Sequence, residues 1–169
     1  MSEKDTLFSS KAKHGGIFSF KDFYQFCYDW LTEETGLHIQ ESKYEEKITG
    51  DSKEIEIEWE GSNKLTDYFQ FDMKVSFTIR GLKEVEITQD GKRIKTNQGS
   101  VTVKIKGILV RDHQGKFESS GSQKFMRAIY EKWVIPSRID EYRGKVIGDC
   151  DEFLGEVKSY LALEGQSRH

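Results

Sequence analysis

From Phe69 to Arg80 apolar and polar residues alternate without a break. Phe69, Phe71, Met73, Val75, Phe77 and Ile79 share one face, and Gln70, Asp72, Lys74, Ser76, Thr78 and Arg80 the other. Period two is the mark of a strand with one buried side. Twelve such residues at ~3.3 Å each reach about 40 Å, more than the usual strand. A strand of that length must coil, because neighbouring strands rotate by ~20°. A second alternation precedes it, with Ile55, Ile57 and Trp59 against Glu54, Glu56, Glu58 and Glu60. Gly61-Ser62-Asn63 reads as the turn between the two. Gly81 reads as the end of the long strand. Val85 and Ile87 then enter a hairpin whose tip, Asp90-Gly91, favours a type I′ turn. Asn97-Gln98-Gly99 reads as a further turn. In the last strand Val101, Val103 and Ile105 carry one phase, while Ile108 and Val110 carry the other. A phase slip at Gly107 predicts a β-bulge, and a bulge bends a sheet.

Helical spacing flanks this region. Phe20, Phe23, Tyr24, Cys27, Trp30 and Leu31 recur on one face behind a Ser19–Asp22 cap, and Gly36 stands at the C′ position. Leu37–Ile48 reads as an irregular first strand. Towards the C-terminus, Phe125, Met126, Ile129, Tyr130 and Trp133 form a stripe that stops at Pro136. Ser137 with Asp140, and Asp149 with Glu152, cap two further predicted helices. The last carries Cys150, Phe153, Leu154, Val157, Tyr160 and Leu161. The predicted fold is therefore α+β. It has an N-terminal helix, a curved antiparallel β-meander of about five to six strands, and C-terminal helices packed on one face. Residues 1–16, poor in apolar anchors, are expected as a flexible tail, and 17–165 as a single domain.

Composition changes this picture little. Hydrophobic residues make up only 36% of the 169, but 11 Phe, 7 Tyr and 3 Trp enlarge what a core can bury. A net charge of −3 supplies no field for nucleic acid, which is not expected as a partner. No apolar leader and no ~20-residue apolar run occur, so no membrane span is predicted. Two cysteines are too few for a disulfide framework. A cytoplasmic protein is expected.

Candidate chemistry is sparse. His14, His38, His113 and His169 are scattered, and Cys27 and Cys150 fall on apolar helix faces, so no metal site and no cofactor are expected. No nucleophile elbow or phosphate loop occurs, and no catalytic residue is assigned. An enzyme ranks third, through a site assembled from distant residues such as His38, His113 and Asp67. The sign of the charge is more informative. Residues 37–60 hold eight acids against three bases, and residues 92–116 hold seven bases against one acid. Cross-strand pairing is one account of that division. The other is a charged face for a protein partner or a second copy, with Lys92, Arg93, Lys95, Lys104 and Lys106 as its basic side. The leading expectation is thus a binding or assembly module acting through its charged sheet face or an edge strand. The alternative is a helix-grip-like carrier of a small apolar ligand or lipid, with Trp59, Phe69, Phe71, Phe77 and Trp133 lining a cavity.

Asp90-Gly91-Lys92, the strand from Gly99 to Asp112, and Phe125-Met126-Arg127-Ala128-Ile129-Tyr130 resemble small uncharacterised archaeal proteins. The resemblance covers about half the chain and implies no activity, so it transfers no functional residue.

Overall fold

Seven elements follow one another in a computed structural model that describes residues 3–111, 125–126 and 136–166. They are β1 (Glu3–Phe18), α1 (Phe20–Glu34), β2 (His38–Thr49), β3 (Ser52–Lys64), β4 (Phe69–Gln89), β5 (Lys92–Arg111) and α2 (Pro136–Gln166). The fold is α+β, and the five strands form one antiparallel sheet in the order β1-β5-β4-β3-β2.

The helix expected at the N-terminus is present but comes second. Ser19 caps α1 by accepting from the Asp22 amide, and Gly36 follows the helix at φ 72°. The segment read as a tail is β1, which pairs with β5 from Glu3↔Arg111 to Phe18↔Asn97. Its weak alternation hid it, because its backbone is satisfied by a strand about ninety residues away in sequence, a contact no local pattern reports.

The described residues form five strands because the predicted strand end at Gly81 and the predicted turn Asn97-Gln98-Gly99 lie inside β4 and β5, and the predicted turn Gly61-Ser62-Asn63 lies inside β3. At Gly81, with φ 62°, the ladder passes from Arg80↔Ser100 to Lys83↔Gln98, so Gly81 and Leu82 face Gly99 alone. This is a bulge opened by a left-handed glycine. A Cβ on Gly99 would stand 3.1 Å from both the Arg80 carbonyl oxygen and the Leu82 Cα. Gly61 likewise lies within β3, where Leu37 and Ile39 pack over it. The Asp90-Gly91 turn is in place, with both residues at positive φ.

No bulge interrupts β5 at Gly107, which stays in phase opposite Met73. The extra residue is in β1, between Thr6 and Phe8. Glycine is required at 107 by packing, since a Cβ there would meet Cys150 Sγ at 2.5 Å and Val146 Cγ1 at 3.0 Å. Ile108 and Val110 therefore lie on the polar side of the sheet, where they are buried.

Helices α1 and α2 cover the apolar side. Phe23, Cys27 and Leu31 of α1 are buried at helical spacing, with Phe23 edge-on to Phe77 at 6.1 Å. The two short C-terminal helices predicted are one continuous helix, α2, which begins at Pro136 and lies over β1 and β5. Proline suits the first helical turn, whose amides lack intrahelical partners. Val146, Cys150, Phe153, Leu154, Val157 and Leu161 form the buried stripe of α2. Asp149, read as a cap, is mid-helix and pairs with Lys145 at 2.8 Å. The stripe predicted over 125–133 lies outside the described residues apart from Phe125 and Met126, both exposed.

Candidate functional site

Directly opposed residues on antiparallel strands share a face, so the registers assign every side chain of the sheet to the helix side or to the open side. The open side is read most simply in rows running across the strands. One row is Ser9, Lys106, Lys74, Glu60 and Gln40, from β1 to β2. The next is Lys11, Lys104, Ser76, Glu58 and Lys43. All of these except Gln40 and Lys43 line a recess of about 620 Å³, to which β2 adds Ser42, so that all five strands contribute. Lysines stand on its β1–β5–β4 side, glutamates on its β3 side, and Ser9, Ser42 and Ser76 add hydroxyls.

Two lysine pairs in this recess are set against each other, Lys74 opposite Lys106 and Lys11 opposite Lys104. Side chains so placed have Cβ atoms ~5 Å apart, and like charges at that distance destabilise a sheet. All four are exposed. Among the described residues none of them, and neither Glu58 nor Glu60, forms an ion pair. Elsewhere the sheet does pair its charges. Lys43 meets Glu56 at 2.8 Å, which holds the Glu56 carboxyl below its ordinary range, and Lys53 meets Glu46 at 2.7 Å.

The five bases expected to form one partner face are divided. Lys104 and Lys106 lie in the recess. Lys92, Arg93 and Lys95 lie on the end of the β4–β5 hairpin, beyond the last partners of β3 and β1. There Arg93 approaches Glu86 at 3.9 Å and Lys95 approaches Glu84 at 3.6 Å, so the hairpin balances its own charge. Lys11 and Lys74 complete the basic cluster. The polar phase of β4 already placed Lys74 on this face, whereas Lys11 belonged to the supposed tail and carried no signal.

The residues considered as a cavity lining are core. Trp59, Phe69, Phe71 and Phe77 are each at most 2% exposed. Trp59 stands edge-on to Tyr24, Tyr28 and Phe77, and Phe69 packs on Tyr142. Trp133 lies outside the described residues. The indole Nε1 of Trp59 donates to Glu41 Oε1 at 3.2 Å, and the Tyr24 hydroxyl donates to the same oxygen at 2.7 Å. Burial, helped by this carboxylate, pushes the Tyr24 phenol up to about 12. Glu41 thus ties α1 to the edge strand β2, a role its position in an irregular stretch of sequence did not suggest.

For chemistry the described residues provide little. No group of three His, Cys, Asp or Glu side chains among them is placed to hold a metal ion. The thiols of Cys27 and Cys150 are buried, and burial raises both, Cys150 to about 12. Asp67 pairs with Lys64, His38 stands opposite Ser62 at the start of β2, and His113 lies outside the described residues. No helix among the described residues is long and apolar enough to cross a membrane. The chain matches no family model, no curated protein and no solved structure.

Proposed function

We propose that this protein is a non-enzymatic docking module that seats a charged segment of another polypeptide in the recess on the open side of its sheet. One observation carries the reading: four exposed lysines on β1, β5 and β4 are opposed in like-charged pairs and form no ion pair among the described residues, although Glu60 stands across from Lys74. Like charges that oppose folding and form no ion pair are suited to a partner from outside. The glutamates beside them restrict its type, since Glu58 and Glu60 repel a uniform polyanion such as nucleic acid.

Other occupants fit less well. A second copy would set one recess against another and leave both unfilled. The β2 edge is a poor template for strand addition, because a bulge at Ser42 and the charges of Glu45, Glu46 and Lys47 guard it. An apolar ligand would have to displace the rings packed around Trp59 and Phe69.

The test is a photo-crosslinking side chain at position 76, on the floor of the recess, compared with the Lys104→Glu/Lys106→Glu variant carrying the same probe. The expected result is a polypeptide adduct that disappears in the variant and in ~1 M salt, where the screening length falls to about 3 Å. An adduct that survives charge reversal, or none in either protein, rejects the proposal.

A further inference from the structure

We infer that the docked segment is an extended peptide lying across the strands, with acidic residues at one end and basic residues at the other. This rests on the docking reading above and adds the charge order of the partner. In both rows of the recess the bases sit on β5 (Lys106, Lys104) and the acids on β3 (Glu60, Glu58), with β4 between them. Neighbouring strands are ~4.8 Å apart, so the two signs are centred about 10 Å from each other. An extended chain advances ~3.3 Å per residue, so about three residues separate the centres of its acidic and basic blocks. A run of one sign fits only half of the recess. An extended chain of alternating sign turns all its acids to one face and all its bases to the other, so it too presents a single sign and matches only one half.

The β1 side adds weight to this order. Lys11 extends the positive half outward from Lys104, and Lys13 continues it one row further, opposite Thr102. On the other flank Glu56 and Glu54 continue the negative half along β3, tempered by Lys43 and Arg80. The two signs therefore meet along β4, where Lys74 is the only charge in the two central rows. The boundary runs parallel to the strands, and a segment that samples both signs has to cross it.

Fluorescence anisotropy at low ionic strength tests the inference with three labelled peptides of about seven residues, long enough at ~3.3 Å each to cross the sheet. The first has three acids, a serine and three bases in blocks, the second has the same residues alternating in sign, and the third is acidic throughout. The block peptide is expected to bind about tenfold more tightly than the alternating one, equivalent to about 1.4 kcal/mol. Reversing one half, by Lys104→Glu with Lys106→Glu, is expected to abolish that preference. Reversing the other half as well, by Glu58→Lys with Glu60→Lys, restores it, with the peptide turned end for end. All four positions are exposed, and unfolding midpoints verify that the variants fold. Equal binding of block and alternating peptides overturns the inference. So does tighter binding of the acidic peptide or of a short single-stranded oligonucleotide, and so does no binding at all. None of these results alters the charge-dependent crosslink at position 76, which tests docking by itself.

Discussion

His14 lies on the helix side of β1, its ring edge-on to Phe18 at 6.5 Å and its buried Nε2 without a hydrogen-bond partner among the described residues. A Cβ on Gly165 of α2 would stand 3.7 Å from the same ring. Burial lowers the His14 pKa from the ordinary value of 6.5. The neutral ring is thus the folded form, and the unfolded chain binds a proton more readily. The stabilisation is full above the unfolded value and is lost as pH falls through the folded one. Urea unfolding midpoints measured from neutral pH downward should show the wild-type protein weakening below about pH 6.5. His14→Gln, which cannot take up the proton, should weaken less over that interval, and parallel curves would refute the assignment. Nothing in the sequence singled out this residue, because the strand that buries it was itself hidden. The two cysteines were legible as core, since each sits in phase with a run of large apolar neighbours.

At the scale of elements, the legible parts were those whose signals are local. The Ser19 cap, the Asp90-Gly91 turn and the alternations of β3 and β4 each depend on residues a few positions apart. Elements defined by distant partners were misread. β1 has Ser10, Ala12 and His14 on its inner face, too mixed to announce a strand, and only its pairing with β5 makes it one. Glycines were ambiguous for the same reason. At 61, 81, 99 and 107 the residue marks a bulge or a close approach, and only the neighbouring element tells which. Gly107 gives a direct test. Gly107→Ala should destabilise the fold by about 1–3 kcal/mol through overpacking. Cys150→Ala removes the sulfur that a Cβ at 107 would strike, so the double variant should be less destabilised than the sum of the singles. The coupling energy expected from urea denaturation is about 0.5–3 kcal/mol. Strict additivity would show that the 107–150 contact is not what excludes a side chain.

Across the whole molecule, the segregation of charge was visible along the chain, but its geometry came from the order of the strands. Early acids and late bases could have paired as neighbours, yet β4 separates the acidic β3 from the basic β5. That separation leaves lysines facing lysines and creates the recess on which the functional reading rests. In the proposed docking role these lysines serve a partner and not the fold. Equilibrium unfolding of the free Lys106→Glu protein tests it most directly. Glutamate there would face Lys74 and replace a like-charged pair by an opposite one. The account predicts a gain in stability of about 0.2–1 kcal/mol, together with loss of the crosslink at position 76. A loss of stability of similar size would mean that Lys106 supports the fold, and would contradict the account.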